Sequence, residues 1–318
     1  MNMYHYSKYL YKPKKGKKKL LIFLVVLMII GGGIYSFLFI DIQSLYIKAV
    51  NIYRLLFNDY RFIEGYLEDG NYNLVIHEGL PFLEKRPLND KLLRYIGEAY
   101  YFVSDGLSGE EQKKALFKSI QYIRKGLVLT ELTTALRNSY YILGMAYFKL
   151  GFDYYELAAE YLRKAQENGF KNKNLYRIIG YCYYRLGIYK EAIDFLKVAR
   201  KNSSDDLVRL YLALALKENE QYNGAYQELN SLISETADES IKKEALMALS
   251  WIEYDEERLD EAMSTVEKVL QIDKNNADAY YLLGNIYERK GDLISARKQW
   301  RTALKINPKH IGAIDKLY

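Results

Sequence analysis

The side chains best able to act as nucleophiles or metal ligands are few and widely separated in this sequence. Its three histidines are His5, His77 and His310, and its single cysteine is Cys182. A zinc site needs several His, Cys or carboxylate ligands, and nucleophilic catalysis needs a base beside the nucleophile. A lone thiol forms neither an internal disulfide nor a CxxC motif. We therefore expect no metal, no cofactor and no enzymatic activity, and we predict that Cys182 is a small packed core residue.

Two other groups of residues could suggest a site, and each has a simpler interpretation. Asp255, Glu256 and Glu257 form an acidic run at a predicted turn between helices, where a solvated loop explains them. Residues 31–33 are three successive glycines, but they lie within an apolar segment and not after a strand, so a phosphate-binding loop is not indicated. Neither group predicts chemistry.

The apolar segment runs from Leu20 to Ile40 and contains no charged residue. A helix of this length spans about 30 Å, which is the thickness of the hydrocarbon core of a bilayer. The alternative is a cleaved secretory signal, but its apolar region usually has about 7–15 residues and a small-x-small site follows it. No such site precedes Asp41. The sequence therefore predicts an uncleaved transmembrane helix at residues 20–40.

Lysines on one side of this segment predict its orientation. The tail 1–19 has no acidic residue and contains seven lysines: Lys8, Lys12, Lys14, Lys15, Lys17, Lys18 and Lys19. Because cytoplasmic flanks are enriched in Lys and Arg, we expect this tail in the cytoplasm and the rest of the chain in the periplasm or another extracytoplasmic space. Without these lysines, 39 basic residues remain against 40 acidic residues. The net charge of +6 thus belongs to the tail, and nucleic-acid binding is not predicted.

A juxtamembrane helix is predicted at residues 41–55, where apolar residues recur at helical spacing without proline or glycine. It would hold the following domain close to the bilayer. Within the apolar segment, the glycines at 31–33 and Ser36 include a small-xxx-small pair of the kind that lets membrane helices dimerise. Such pairs are common, and a homodimer remains an open alternative.

The segment from Ala277 to Pro308 has a packing pattern of two antiparallel helices. The pattern consists of eight positions: Tyr280, Leu283, Gly284, Tyr287, Ala296, Trp300, Ala303 and Pro308. The small Gly284 would let the second helix approach closely, and Pro308 would end that helix because proline lacks an N–H donor. In type and order these residues resemble the tetratricopeptide repeat family, whose members are stacks of helix hairpins.

Weaker copies of the same pattern precede this segment. Seven repeats are predicted to start near residues 56, 90, 137, 173, 206, 243 and 277, within a domain at 56–310, followed by a short cap at 311–318. In the second repeat, the polar insertion at residues 104–114 is expected to be a surface loop, and its Ser108 and Glu111 are expected to form a capping box for the second helix of the repeat. The predicted fold is therefore all-α: a transmembrane helix followed by a right-handed α-solenoid of about seven hairpins.

The resemblance implies a binding face on the first helix of each repeat, at positions 2, 5, 9 and 12. These positions are rich in aromatic residues here, and aromatic rings supply large, rigid contact areas. The predicted protein-binding residues are Tyr141, Met145, Phe148, Arg177, Tyr181, Tyr184, Met247, Trp251, Tyr254, Tyr281 and Asn285. The alternative is that some of these rings only pack between adjacent repeats.

One known use of the family is not reproduced. Chaperone-binding members hold a terminal carboxylate with Lys and Asn at positions 5 and 9. The corresponding pairs here are Arg94 with Glu98, Tyr141 with Met145, Arg177 with Tyr181, and Tyr281 with Asn285. The resemblance therefore implies recognition of a protein or peptide partner other than a chaperone tail.

The sequence predicts a non-enzymatic, membrane-anchored scaffold that recruits envelope components, for example of a secretion, outer-membrane, polysaccharide or flagellar motor assembly. Two alternatives remain at this stage. One is a receptor or chaperone adaptor with reversed topology, facing the cytoplasm. The other is an accessory subunit of a membrane enzyme complex.

Overall fold

A computed structural model describes residues 48, 49, 60–130 and 133–318. The chain divides into two compact units, Met1–Leu150 and Gly151–Tyr318. The predicted tail at 1–19 and the predicted membrane helix at 20–40 lie outside the described residues, as does nearly all of the juxtamembrane segment at 41–55. Among the helices that are described, none is both long enough and apolar enough to cross a bilayer.

The described part of the first unit contains five α-helices. They are α1 (Phe62–Glu68), α2 (Tyr72–Lys85), α3 (Asp90–Val103), α4 (Gly109–Leu129) and α5 (Thr133–Leu150). Helices α1 and α2 pack as a pair, as do α3 and α4, and α5 packs against α4. Ile63, Val75 and Ile96 lie in the core between the first three helices, and all are fully buried.

The second unit contains ten α-helices. They are α6 (Tyr155–Glu167), α7 (Leu175–Arg185), α8 (Tyr189–Asn202), α9 (Asp206–Glu218), α10 (Tyr222–Glu235), α11 (Glu239–Asp255), α12 (Leu259–Ile272), α13 (Ala277–Arg289), α14 (Leu293–Ile306) and α15 (Ile311–Leu317). Helices α7 to α14 form four successive hairpins, and each hairpin packs against the next. The predicted all-α class of stacked hairpins is confirmed for the described residues.

A close helix crossing fixes the last hairpin. Gly284 on α13 faces Trp300 on α14, and a Cβ atom at Gly284 would lie 2.3 Å from Trp300 Nε1. The indole is only 3% exposed, between the buried Ala296 and Ala303. The glycine is therefore needed for the second helix to approach this closely.

Helix caps determine where some of the elements begin. Asp238 Oδ1 accepts hydrogen bonds from the backbone N–H groups of Ser240 (2.8 Å) and Ile241 (3.2 Å). Because this cap satisfies two otherwise unpaired donors, α11 begins at Glu239, four residues before the predicted start of its repeat at residue 243. The hairpin pattern identified the packing positions of this helix and missed its first turn.

The predicted capping box of Ser108 and Glu111 was wrong. Ser108 precedes α4, but its side chain makes no capping hydrogen bond. Gly109, the first residue of the helix, has a left-handed φ of +58°, which departs from the geometry of a capping box. The segment predicted as a surface loop is instead largely the first turns of α4.

The third predicted repeat, starting near residue 137, is divided between the two units. Its first helix, α5, belongs to the first unit, and its second helix, α6, belongs to the second. The predicted cap at 311–318 corresponds to α15, whose buried Ala313 contributes to a cluster with Trp300.

Candidate functional site

The predicted binding residues lie on the first helices of their hairpins. Ten of the eleven are half-buried: Tyr141, Met145 and Phe148 on α5; Arg177, Tyr181 and Tyr184 on α7; Met247, Trp251 and Tyr254 on α11; and Tyr281 on α13. The three on α5 belong to the first unit, and the other seven belong to the second unit. The second unit therefore contains the larger part of the predicted face.

A group of rings that we call the tyrosine cluster comprises Tyr155, Tyr181, Tyr184 and Tyr211. The ring centroids of Tyr181 and Tyr211 are 4.7 Å apart, and those of Tyr184 and Tyr211 are 6.1 Å apart. Tyr155 meets Tyr181 edge-on at 5.8 Å. Aromatic pairs at these separations attract one another. The cluster thus links helices α6, α7 and α9 and holds its partly exposed rings in fixed positions.

Arg185 lies over the edge of this cluster. Its Nη1 donates a 2.7 Å hydrogen bond to Tyr181 Oη. The guanidinium carbon is 5.7 Å from the centroid of the Tyr181 ring and 5.9 Å from that of Tyr155. Such cation–π contacts favour arginine. The hydrogen bond from Arg185 orients the Tyr181 phenol, and the Arg185 guanidinium remains exposed at the surface.

Two tyrosines of the cluster, Tyr155 and Tyr184, remain neutral at physiological pH. Burial, with a smaller contribution from a hydrogen bond with Tyr181, raises the pKa of Tyr155 to about 12. Burial, reinforced by the Glu218 carboxylate, likewise raises the pKa of Tyr184 to about 12. Neutral phenols both donate and accept hydrogen bonds. The cluster therefore offers apolar area with polar edges, as is common in protein interfaces.

A second group, the tryptophan cluster, comprises Trp251, Tyr254, Tyr281 and His310. Trp251 meets Tyr254 edge-on with centroids 5.7 Å apart, and its ring lies 6.2 Å from that of Tyr281 on the next hairpin. Tyr281 in turn lies 4.8 Å from the His310 ring. Met247 and Trp251 both pack against the same buried cluster of the core. This cluster links α11, α13 and the start of α15.

Polar contacts fix both edges of the tryptophan cluster. The Arg289 guanidinium carbon lies 3.8 Å from the centroid of the Tyr254 ring, and Arg289 Nη1 donates 2.8 Å hydrogen bonds to Tyr254 O and to Glu257 Oε1. At the other edge, His310 Nδ1 accepts from the Ala313 N–H at 3.1 Å. The Nε2 atom must then carry the ring proton, and it donates to Asp278 at 3.0 Å.

Asn285 differs from the other predicted binding residues. It is only 5% exposed, and its Oδ1 accepts a 3.0 Å hydrogen bond from Trp300 Nε1. A buried indole N–H needs such an acceptor, because leaving it unpaired would be costly. We therefore leave Asn285 out of the binding face: its amide is used inside the last hairpin.

Several residues of the two clusters were not identified from the sequence. Tyr211 follows position 5 of the fifth repeat, where the four counted positions are Leu207, Leu210, Leu214 and Lys217 and suggest no aromatic face. Arg185 was also missed, although an arginine four positions after Tyr181 was a usable signal for a contact along the helix. His310 was recognised only as a histidine without neighbouring metal ligands.

The residues considered for chemistry form no reactive site in the described part of the chain. Cys182 is fully buried, and burial raises its pKa to about 12, so the predicted packed thiol is confirmed. No group of three His, Cys, Asp or Glu side chains among the described residues is placed to hold a metal ion.

Two family models match the chain. A tetratricopeptide repeat-like domain matches residues 187–314. A tetratricopeptide repeat model matches residues 140–206. No curated protein matches the chain.

Solved structures of repeat proteins are similar in fold. The C-terminal part of a TPR repeat-containing protein from Cytophaga hutchinsonii has a TM-score of 0.56 and 17% identity, over 82% of this chain and all of that one. A tetratricopeptide repeat protein from Parabacteroides merdae has a TM-score of 0.45 and 18% identity, over 84% and 97% of the two chains. MamA from Desulfovibrio magneticus RS-1 has a TM-score of 0.48 and 17% identity, over 55% and 97%. The first of these similarities supports the fold.

Proposed function

Because residues 140–314 belong to the tetratricopeptide repeat family, we propose that the chain is a protein-interaction scaffold whose second unit binds a segment of a partner protein. Proteins of this family are generally non-enzymatic binding scaffolds. The observation that carries the proposal is the pair of aromatic clusters, most of whose rings lie on the successive first helices α7, α9, α11 and α13. We call these two clusters together the aromatic face.

The aromatic face has the properties of a preformed binding surface. Apart from the buried Tyr155, its rings are half-buried. Neighbouring rings and two arginines hold them, so little side-chain entropy remains to be lost on binding. Rings in such settings are frequent sites of concentrated binding energy. Since the helices satisfy their own backbone hydrogen bonds, recognition would depend on side chains. A partner segment with apolar anchors would match this surface.

Replacing Tyr181, Tyr184 and Trp251 together by Ala tests the aromatic face. Each truncation removes contact area at one of the two clusters, and we expect partner recovery in crosslinking and pull-down from membranes to be abolished. The matched control replaces Tyr226 and Tyr318 by Ala, because both rings lie off the first helices. Recovery of the partner at the wild-type level by the triple variant, with helical content unchanged, would remove this face from the proposal.

We propose more specifically that the scaffold is anchored in a membrane and serves an envelope assembly outside the cytoplasm. The uncharged segment 20–40 and the lysines of the tail 1–19 support it. A reporter enzyme that is active only outside the cytoplasm, fused after Tyr318, should be active. A second reporter, active only in the cytoplasm, would be fused at the same position. If this second reporter were active and the first were inactive, the reversed topology would be favoured.

A further inference from the structure

The exposed side of α14 carries positive charge without any compensating acidic residue. Residues 293–306 include Arg297, Lys298, Arg301 and Lys305 and contain neither Asp nor Glu. The spacings of three and four positions place these cations on one side of the helix. The opposite side holds the buried Ala296, Trp300 and Ala303.

The four cations are exposed and unpaired within the described part of the chain. All four side chains are solvent-exposed, and none is within ion-pair distance of a carboxylate among the described residues. Their positive charge is therefore available to an external partner. We call this surface, together with Leu293 and Ile294, the basic face.

Other second helices of the same unit do not share this charge pattern. In α6, Lys164 pairs with Glu160 at 2.5 Å, and Arg163 with Glu167 at 3.4 Å. Helices α8, α10 and α12 also contain acidic residues. A uniformly cationic exposed side is thus particular to α14 within this unit and is not a general property of its repeats.

Aliphatic side chains are interleaved with the cations of the basic face. Ile294 is 86% exposed and Leu293 is 54% exposed at the start of α14. Ile294 lies three and four positions before Arg297 and Lys298, so it belongs to the same side of the helix. In the interfacial region of a membrane, cations can contact the headgroups while exposed aliphatic residues enter the boundary with the acyl chains.

A similar combination occurs on α4 of the first unit. Residues 112–130 contain no acidic residue, and Lys114, Lys118, Arg124 and Lys125 are exposed. Val128, at 85% exposure, lies three positions beyond Lys125. The same pairing of cations with aliphatic residues therefore occurs on a helix of each unit.

We infer that the basic face of α14 contacts the anionic headgroups of a phospholipid surface, with Leu293 and Ile294 entering the interfacial region. Charge complementarity supplies the attraction, because cations near such a surface are drawn to it. Nucleic acid fits less well, since the only aromatic ring of α14 is the buried Trp300 and no ring on its exposed side can stack on bases. This contact goes beyond the proposed partner-binding function and does not depend on the aromatic face.

Lysine acetylation of the full-length chain in lipid nanodiscs tests the inference. The discs contain phosphatidylcholine, alone or mixed with phosphatidylglycerol. We expect Lys298 and Lys305 to be modified about tenfold more slowly in the anionic discs, and the protection to decrease at high salt. Lys190 and Lys197 on α8 are internal controls, because both are exposed on a helix that also carries acidic residues.

Two matched variants separate charge from shape. Arg297→Gln with Arg301→Gln should abolish most of the protection of Lys298 and Lys305, whereas Arg297→Lys with Arg301→Lys should retain it. Equal modification in both kinds of disc would overturn the inference, as would protection that is insensitive to salt. Protection by duplex DNA or by polyglutamate, without protection by anionic discs, would also overturn it. Pull-down of the protein partner reports on the aromatic face separately.

Discussion

Gly284 illustrates how one residue sets the separation of two helices. Replacing it by Ala would place a Cβ atom 2.3 Å from Trp300 Nε1 and 2.4 Å from Trp300 Cδ1. We expect the free energy of unfolding to fall by about 2 kcal/mol, because the indole is buried and cannot move without losing its contacts. Urea denaturation followed by circular dichroism measures the change.

Ser250 provides the matched control for this substitution. It occupies the equivalent position in the preceding hairpin, where a Cβ atom is already accommodated, and its hydroxyl donates to Met247 O at 2.8 Å. Ser250→Ala should therefore cost clearly less than Gly284→Ala. The Gly284→Ala substitution should also cost less in a Trp300→Leu background. Equal costs in the two backgrounds would contradict the proposed clash.

Glu253 is a buried carboxyl group in the sixth repeat. It is 4% exposed, its Oε2 has no hydrogen-bond partner among the described residues, and burial raises its pKa above the usual value for glutamate. The Thr265 hydroxyl and Arg258 oppose this increase. A group of this kind binds its proton more tightly in the folded state than in the unfolded state, so ionising it favours unfolding.

Glu253→Gln should therefore change how stability depends on pH. In the wild type, protonated Glu253 stabilises the folded state. This stabilisation is lost as the pH rises through the raised pKa that Glu253 has in the folded state. We expect the variant to be more stable than the wild type by about 1 kcal/mol at neutral pH and above, because it buries no charge. The difference should disappear at low pH. Urea denaturation across a pH series would contradict this if the two curves stayed parallel.

At the scale of single helices, side-chain caps determine where some of the helices begin. Asp238→Ala removes the side chain that accepts hydrogen bonds from two N–H groups at the start of α11. We expect a loss of about 1 kcal/mol in the free energy of unfolding. Ser108→Ala is the matched control, because Ser108 precedes α4 without capping it. A similar loss in both variants, measured by thermal unfolding, would contradict this difference between the two caps.

The hairpins could be predicted because their determinants are local in sequence. Gly284, Trp300 and Ala303 must recur at set positions for two helices to cross closely, so the pattern itself contains the packing. The side-chain partners could not be predicted in the same way. Counting positions placed Asn285 on the binding face, but the buried Trp300 N–H needs an acceptor and takes it. Tyr211 was missed because its role depends on rings from the neighbouring hairpin.

At the scale of the whole molecule, the division into two units limits what the repeat pattern can predict. Regular steps along the sequence indicate one uninterrupted array of seven hairpins. The structure instead assigns α5 to one compact unit and α6 to another, although both belong to the third predicted repeat. A pattern of packing positions describes each helix and its partner, and it does not reveal where a chain separates into compact units.

The second unit should fold without the rest of the chain. In repeat proteins, stability is approximately the sum of contributions from each repeat and from its contacts with adjacent repeats. Residues 151–318 contain four complete hairpins and the capping helix α15, so the fragment should be helical and unfold cooperatively.

The cost of Gly284→Ala should be the same in the fragment and in the full-length chain. Gly284 and Trp300 both lie in the last hairpin of the second unit, so the substitution should lower the free energy of unfolding of this unit by the same amount in both proteins. Urea denaturation of both proteins, with and without the substitution, measures these quantities. A fragment that is unfolded in the absence of urea, or a cost that differs between the two proteins, would contradict the prediction that this unit is stable without the residues before Gly151.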